Sequence, residues 1–573
     1  MPKPRKIEPP SPWDSEVRLL AWLATCVSVF SFLFYFRSGE TMLYGDAVAH
    51  INIARRVFDS KTPGLLQLGT VWLPLPHLLM IPFLISGKLW QTGAGGSLPS
   101  MIAYVFGVVG LFRLTRGVLS RTATPDKAAR AAAWIAALIY AANPSLIYMQ
   151  STAMGEALYL ALFLWAVVYF SEWTRGDGKA LTKCGLCLAG LCLTRYDGWF
   201  LAVAMTLVVL LTFGKTQSFV GSGGKGARER RDAAKEAAGP SAPRVRLIKF
   251  LLIVAAAPAF WLAYNGIVYR NPLEFENGPY SAKAIERRTQ SAGNPGHPGT
   301  GNPILAGMYF LKAAEDNVAG YEWLQRGWIL ILLTAAGAAF FAARNRAGQS
   351  EPAVSSAWPL AFLLIPVPFY ALSIAYGGVP IFIPQWWPFS HYNVRYGLQL
   401  LPAFSVAVAI LVNWTLRSDE WNRRLRLATV MLLLALVSAS YISVWHTGPT
   451  CLQEAKINMR TRNELAAQLA LLLDKLPPDS TLLMYLGDQV GAVERAGIPL
   501  KRTINEGNHR VWKQPRDPDG LWERALASPS QYADYVLALE GDPVWQAVHG
   551  SALRELVEIH VTGQARAILY RAR

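Results

Sequence analysis

The chain has 573 residues, of which 52% are hydrophobic and only 16% are charged. A typical soluble domain carries roughly 25% charged residues, so this composition, with its 20 Trp and 22 Tyr, indicates a membrane protein and excludes a disordered or disulfide-stapled chain. The net charge of +17 does not indicate nucleic-acid binding, because the last part, 446–573, is neutral with 15 basic and 15 acidic residues. The positive-inside rule explains the excess among the apolar segments.

Eleven apolar segments are predicted to cross the membrane, whose hydrocarbon layer is about 30 Å thick and takes about 20 residues of helix. The first contains no signal-peptidase site, so we expect it to be retained. The fifth and sixth are short and predict a hairpin that turns at Arg195–Gly198. The predicted spans are 18–36, 99–119, 131–150, 157–171, 181–194, 199–213, 247–268, 323–342, 357–376, 397–415 and 427–445.

Basic residues predict the orientation of these spans. They concentrate in loops that face the cytoplasm when the N-terminus is inside, with nine Lys and Arg in 214–249 alone. Eleven spans then place the C-terminal segment outside. We therefore predict a membrane domain over 1–445, with long outer loops at 37–98 and 270–322, and an outer domain over 446–573.

The inner segment 214–246 is rich in Gly, Ala, Arg and Lys, which is typical of a flexible linker. Within it, Gly221–Gly226 resembles a phosphate-binding loop only in its glycines. No Ser or Thr follows Lys225 and no strand is predicted before the segment, so a nucleotide site is not predicted here.

The first outer loop begins with a helical pattern. Apolar residues recur at helical spacing over 44–59, which predicts an amphipathic helix at the membrane surface. Asp46 and His50 share one face of it, and the helix N-terminus favours a carboxylate at Asp46. A helix cap with a solvated face explains the pair equally. The next apolar stretch, 71–83, contains three prolines in nine residues and predicts a re-entrant or surface-lying segment.

An acidic residue directly after the first span, an interfacial helix and then a Pro-x-Pro stretch resemble the GT-C glycosyltransferases. The resemblance is greatest to the protein O-mannosyltransferase and aminoarabinose transferase group. Other matches are Glu156 at the outer start of the fourth span, a Gly-rich span that ends at Arg195, and the pair Arg395-Tyr396 before the tenth span. The resemblance implies a GT-C-like, α-helical polytopic membrane domain. It also implies a donor sugar on a polyprenyl phosphate and transfer with inversion.

The resemblance implies catalytic roles for Asp46 and Glu156. One positioned carboxylate is sufficient to accept the proton of an acceptor hydroxyl, and we assign this role to Asp46. Glu156 either orients the acceptor or forms a structural ion pair. The phosphate leaving group needs positive charge, although basic residues at span ends also serve as interface anchors. The phosphate-binding candidates are Arg395, Arg195, Arg55 and Lys283.

Imidazole and aromatic side chains near these positions are the candidates for contacts with substrate, and they are His50, His77, Tyr280 and Tyr396. Members of the family often have a second acid beside the first, whereas Ala47 and Val48 follow Asp46. We therefore expect no cofactor and no metal ligands, although a divalent ion held partly by distant loops is left open.

From about residue 476 the pattern changes to alternating strands and helices. Strands are predicted near 481–486, 500–504, 534–539 and 566–571, and helices near 488–496, 519–527 and 543–550. This alternation predicts a small, partly parallel sheet. Trp512 and Trp522 either stack on sugars or belong to its core.

The resemblance thus implies a multi-pass enzyme of the inner membrane that transfers a mannose-like hexose from a polyprenyl phosphate to an outer acceptor. The acceptor is a hydroxyl of a protein, a lipid or a glycan. A transporter or lipid-linked flippase is the alternative, but neither the repeat symmetry nor the intramembrane acids typical of transporters are visible. A membrane scaffold is a third interpretation.

Overall fold

The structure is a computed structural model. The residues it describes are 14–120, 126–218, 242–289, 296–346, 357–418, 420–508 and 519–573. The predicted linker 214–246 lies largely outside these residues, and Gly221–Gly226 and Trp512 lie wholly outside them.

Helices occupy all eleven predicted spans, and the predicted polytopic helical fold is confirmed. Among the described residues, eight helical segments are long and apolar enough to cross a membrane. Two shorter helices, Ala180–Cys192 and Asp197–Ser218, form the predicted hairpin. The eight segments contain the helices Ser15–Arg37, Ala94–Leu119, Glu156–Thr174, Ala242–Val268, Glu322–Arg346, Trp358–Leu364 with Pro366–Tyr376, Val394–Leu400 with Leu401–Arg417, and Arg423–Thr447 with Thr450–Leu473.

The third predicted span, 131–150, is not one straight helix. Lys127–Ala141 and Pro144–Gln150 meet at an angle of 63°. Pro144 cannot donate the backbone hydrogen bond that would continue the first helix. The Asn143 side chain instead accepts a hydrogen bond from the Leu146 N–H and caps a new helix.

The first long loop, predicted to face outward, folds as three helices against the membrane domain. We call Gly45–Arg56 the first-loop helix, and the others are Leu75–Leu84 and Gly87–Gln91, with a 3-10 turn at Leu65–Leu68. Leu75–Leu84 has ten residues and is too short to span, as its prolines predict. The second long loop, 270–322, contains the helices Glu274–Asn277, Ala282–Thr289 and Pro303–Asp316.

The helix Thr450–Leu473 joins the last predicted span to the C-terminal region. We call it the connecting helix, and we call the residues after it, 476–573, the tail domain. Leu465 and Leu469 of the connecting helix are fully buried. The chain therefore does not enter the tail domain directly at 446, because a long packed helix comes first.

The tail domain is built on a five-stranded sheet whose strands are β1 (Leu482–Met484), β2 (Thr503–Ile504), β3 (Tyr535–Leu539), β4 (Arg554–Ile559) and β5 (Ala567–Arg571). The strand order is β2-β1-β3-β5-β4. β1 pairs in parallel with β2 and β3, whereas β5 pairs antiparallel with β3 and β4. The sheet is partly parallel, as predicted, but β4 was missed because its side chains are mostly exposed. Short helices cover it at Val490–Arg495, Leu521–Ala527, Pro529–Tyr532 and Pro543–Val548.

The two faces of this sheet pack against different partners. Leu483 and Val536 form a core inside the tail domain with Trp522, which is therefore a core residue rather than an exposed stacking surface. Leu482 and Leu537, on the opposite face, belong to the same hydrophobic core as the membrane domain. Successive residues of a strand point to opposite faces, so the sheet joins the tail domain to the rest of the chain.

Candidate functional site

The site is organised around Arg395, at the start of the span that contains Val394–Leu400. Its Nη2 lies 2.7 Å from Asp46 Oδ2, its Nε 3.2 Å from Glu156 Oε1 and its Nη1 2.8 Å from Glu454 Oε1. The Arg395 side chain is 8% exposed. Three carboxylates from distant parts of the chain therefore converge on one buried guanidinium.

Arg195 forms the second half of the site. Its Nη1 lies 3.1 Å from Glu156 Oε1 and its Nε 3.2 Å from Asp197 Oδ2. Its Nη2 donates to the Tyr370 hydroxyl at 3.1 Å. Glu156 thus bridges the two arginines. We call Asp46, Glu156, Asp197, Glu454, Arg195 and Arg395 the carboxylate–arginine cluster.

Aromatic rings separate and support the two guanidinium groups. The Tyr396 ring centroid lies 4.5 Å from Arg195 Cζ and 5.0 Å from Arg395 Cζ. It also stacks on the Tyr370 ring, with the centroids 5.4 Å apart. Such cation–π contacts stabilise a cation by roughly 0.5–2 kcal/mol. Tyr396 is half-buried, so the predicted substrate-contacting ring lies between the two arginines.

The backbone around Arg395 is held by local features of the sequence. Asn393 has a φ of 57°, a left-handed conformation that Asn tolerates, and its N–H donates to Glu454 Oε1 at 2.9 Å. At Gly397 a Cβ atom would lie 2.4 Å from the carbonyl carbon of Ala313. Glycine is required there because only it allows this close approach between two backbones.

Asp46 and Glu156 both lie in the first turn of a helix, where the helix dipole favours negative charge. Their accessibility differs greatly. The Asp46 side chain is 38% exposed, whereas those of Glu156, Asp197 and Glu454 are 5%, 3% and 1% exposed. Asp46 is therefore the carboxylate of this cluster that is accessible from solvent.

The cluster carries unequal charge and retains free donors. Four carboxylates face two guanidinium groups, so its formal charge is two minus four, or −2. A guanidinium has five N–H donors, and the contacts above use three on each arginine. Within the described residues, Glu156 Oε2 and Asp197 Oδ1 are buried without a hydrogen-bond partner. The cluster can therefore stabilise positive charge and also donate hydrogen bonds to an anion.

Two histidines lie beside Asp46. His50 Nδ1 is 2.8 Å from His77 Nε2, and the His50 ring contacts the edge of Trp72 at a centroid distance of 5.1 Å. Burial lowers the pKa of both imidazoles, of His77 most strongly, so both are neutral near pH 7. His77 is fully buried. His50 is thus the residue of this pair that lies next to the site, and His77 supports it from behind.

Three other predicted residues lie apart from the cluster. Arg55 binds Asp59, with Nε 2.8 Å from Oδ2, and braces the first loop. Lys283 binds Glu276 at 2.7 Å, and both side chains are well exposed. Tyr280 is 44% exposed in the same loop. Within the described residues, none of these three residues contacts the cluster.

Metal ligands are not grouped in the described part of the chain. No three His, Cys, Asp or Glu side chains there are arranged to hold an ion. The carboxylates of the cluster are directed at arginines instead. The metal dependence of the protein stays a prediction, which is tested below.

Sequence comparison finds no matching family model and no matching curated protein. Comparison with solved structures does find matches. ArnT from Cupriavidus metallidurans, in crystals bound to undecaprenyl phosphate and in the apo state, superposes with TM-scores of 0.52 and 0.51 at 12% identity. The matches cover 97% and 98% of this chain and 98% and 99% of ArnT. The chain has the GT-C fold.

The fold shared with ArnT extends over the tail domain as well, since the two matches leave almost none of either chain uncovered. The apo oligosaccharyltransferase of Archaeoglobus fulgidus is less similar, with a TM-score of 0.43 and 13% identity. That match covers 91% of this chain but only 69% of the archaeal protein.

Sequence reasoning missed two acidic members of the cluster. Asp197 lies two residues after Arg195 in the predicted hairpin turn, so their proximity was visible as a local pair. Glu454 lies in a segment predicted to be an outer tail, 59 residues after Arg395. No local pattern marks Glu454, because only the packing of the connecting helix brings it to the guanidinium.

Proposed function

We propose that this chain is a membrane glycosyltransferase that transfers a sugar from a polyprenyl-phosphate donor to an acceptor hydroxyl. The fold supports this proposal, because an ArnT structure of the same fold contains undecaprenyl phosphate. The observation that carries it is the pairing of Asp46 with Arg395, in which an accessible carboxylate lies 2.7 Å from a buried guanidinium at the end of the spans.

In the proposed reaction Asp46 is the general base. The acceptor oxygen forms a bond to the anomeric carbon while the bond from that carbon to the donor phosphate oxygen breaks. The acceptor proton passes to the Asp46 carboxylate, and the polyprenyl phosphate leaves with the electrons of the broken bond. A single direct displacement inverts the anomeric centre. Base catalysis of this kind contributes roughly 10²–10⁴-fold to a rate.

The remaining members of the cluster have two proposed roles. The unused N–H donors of Arg395 and Arg195 bind the phosphate and stabilise its charge as it leaves. The buried carboxylates hold these arginines in place, and their excess negative charge stabilises the positive charge that develops at the anomeric carbon. His50 and Tyr396 contact the sugar, and Glu156 orients the groups around it.

The finer parts of the proposal come from the sequence resemblance. We propose a mannose-like hexose as the donor sugar, and a hydroxyl of a protein, lipid or glycan as the acceptor. The catalytic end of the spans, the two outer loops and the tail domain face away from the cytoplasm, in the inner membrane. The basic residues of 214–249 support this orientation.

The experiment is a transfer assay with the purified full chain in detergent. Polyprenyl phosphates that carry different radiolabelled sugars are offered with candidate acceptors, and labelled product is separated from labelled lipid. We expect transfer by the wild-type protein and by Glu276→Gln, which removes an exposed acid outside the cluster, and loss of transfer in Asp46→Asn. In a second assay with the protein reconstituted into vesicles, movement of labelled lipid between the leaflets without sugar transfer would instead establish the flippase alternative.

A further inference from the structure

The first-loop helix, which carries Asp46 toward the cluster, is held on its other side by the C-terminal part of the chain. Asn52, six residues after Asp46, is 2% exposed and faces the tail domain. Its Nδ2 donates to Glu494 Oε2 at 2.6 Å and to the Val48 carbonyl at 2.8 Å. Its Oδ1 accepts a hydrogen bond from Trp90 Nε1 at 3.0 Å. The Asn52 amide thus connects the first-loop helix, the short helix Gly87–Gln91 and the tail domain.

Glu494 lies in the tail helix Val490–Arg495 and is 1% exposed. Its Oε1 is buried without a hydrogen-bond partner in the described residues. Burial raises the pKa of this carboxyl to about 8, so it is mainly neutral near pH 7. A buried carboxyl with one unsatisfied oxygen lowers the stability of a protein. In the described residues, the side chain that donates a hydrogen bond to Glu494 is Asn52 of the first-loop helix.

Further contacts follow the same helix. At Gly491 a Cβ atom would lie 3.2 Å from Val48 Cγ1, so the tail helix packs directly against the first-loop helix. At Gly45, next to Asp46, a Cβ atom would lie 3.3 Å from Met459 Cε of the connecting helix. The first-loop helix is therefore contacted along its length by residues that follow the membrane domain.

We propose that Glu494 and Asn52 are positioning residues through which the tail domain holds Asp46 in register with Arg395. The proposal rests on the proposed function, in which Asp46 is the base. Asn52 lies about 9 Å from Asp46 along the helix axis, a distance over which a helix moves as a rigid rod. A shift of about 1 Å in a catalytic group reduces rates by roughly 10²-fold, so the hold on Asn52 sets the rate without touching the donor.

The test compares Glu494→Ala with Glu494→Gln in the full chain. Gln keeps the oxygen that accepts from Asn52, whereas Ala removes it. We expect kcat to fall by roughly 10–100-fold in Glu494→Ala, with the affinity for polyprenyl phosphate within twofold of wild type, and kcat to be nearly normal in Glu494→Gln. Arg502→Ala is the matched control, because within the described residues the Arg502 side chain donates hydrogen bonds to Ser480 and Pro477, both inside the tail domain.

A covalent replacement for the hydrogen bond gives the decisive comparison. Val48→Cys and Gly491→Cys place two sulfurs where a disulfide can form, in a Cys26→Ser background that removes the exposed native thiol. Added to Glu494→Ala, this pair should restore kcat when oxidised and not when reduced. If Glu494→Ala does not fold, Trp90→Phe removes the donor to Asn52 more gently, and we expect a smaller fall in kcat with unchanged donor affinity.

The proposal would be overturned by an unchanged kcat in Glu494→Ala or, where that variant cannot be made, in Trp90→Phe. An equal loss in Arg502→Ala, or a parallel loss of donor affinity, would reduce Glu494 to a structural residue. Failure of the proposed function gives a different result, since the wild-type protein would then transfer no sugar. Transfer that depends on Asp46 but not on Glu494 would reject the positioning role alone.

Discussion

Arg395 and Arg195 occupy the two halves of one cluster, but their partners come from different levels of structure. Arg195 binds Asp197 in its own turn, in addition to Glu156 and Tyr370, which are 39 and 175 residues away. Arg395 binds Asp46 and Glu156, which are 349 and 239 residues away. The Arg395 half opens to solvent through Asp46, whereas the Arg195 half ends in buried side chains. We thus place the chemistry in the Arg395 half, whose ion pairs all join distant segments.

The difference has a physical reason. A pair formed within one turn is present whenever the turn is present, so it can act as a fixed support. A pair formed between distant segments depends on how helices pack, so its geometry can be aligned with an external substrate. The comparison is tested most directly by removing charged groups from each half.

The largest effect is expected at the open half, in Asp46→Asn. This change keeps the shape of the side chain and removes the base, so kcat should fall by roughly 10²-fold or more. The affinity for the donor should change little, because the arginines bind the phosphate. Steady-state kinetics and donor binding to purified protein check both values. Near-normal transfer would reject the role of Asp46.

The second-largest effects are expected when each arginine is replaced by alanine, and the two variants should differ. Arg395→Ala leaves Glu454 buried without its cationic partner, whereas Glu156 keeps Arg195, and breaking a buried ion pair costs roughly 3–5 kcal/mol of stability. It should also weaken donor binding. Arg195→Ala should lower the stability and the donor affinity less, because Tyr370 still donates a hydrogen bond to Asp197. Thermal unfolding and donor-binding isotherms of the two variants give the comparison, and equal losses would contradict it.

The buried acids behind each arginine allow a finer comparison. Glu454→Gln keeps a hydrogen-bond acceptor for Arg395 but removes its charge, and we expect kcat to fall about tenfold, which corresponds to about 1.4 kcal/mol. Asp197→Asn should change kcat less, since Arg195 keeps Glu156. The two variants are measured in the same transfer assay. A larger loss in Asp197→Asn would place the chemistry in the other half.

The link from the open half to the tail domain predicts a dependence of stability on pH. The Glu494 pKa is raised by burial from an ordinary 4.5 to about 8. Below pH 4.5 its contribution to stability is complete, because both the folded and the unfolded chain keep the proton. Between 4.5 and 8 only the folded chain keeps it, so stability falls by about 1.4 kcal/mol per pH unit.

Glu494→Gln removes this titration, so its thermal midpoint should fall less than that of the wild-type protein between pH 5 and 8. The difference between the two proteins isolates Glu494 from other groups that titrate in this range, such as Asp316 and Asp542, whose pKa values burial raises to about 6. Identical slopes for the two proteins would show that Glu494 is not buried as described.

The smallest effect is expected from removal of metal ions. Asp46 has Arg395 as its partner rather than a second acid, so a chelator should change the transfer rate by less than about twofold. A divalent ion takes several oxygen ligands, and each carboxylate of the cluster already pairs one oxygen with an arginine. Transfer assayed with and without chelator checks this. Complete loss, restored by Mg²⁺ or Mn²⁺, would contradict it.

Sequence patterns were sufficient for the features that depend on nearby residues. Apolar length predicted the helices because the bilayer imposes a fixed thickness, and short apolar runs that alternate with helical segments predicted β1, β2, β3 and β5. The resemblance brought Asp46, Glu156, Arg195 and Arg395 into one group. The structure places all four in the cluster, while their roles are proposals.

Tertiary structure decided what depends on distances between segments. Glu454 meets Arg395 because the connecting helix packs over the spans, and Asn52 meets Glu494 because the tail domain returns to the first loop. Arg55 and Lys283 have the same charge as Arg395 and similar predicted locations, yet they bind Asp59 and Glu276 instead. The sequence gives the charge of each side chain. Its ion-pair partner depends on how the helices pack, which local sequence patterns do not predict.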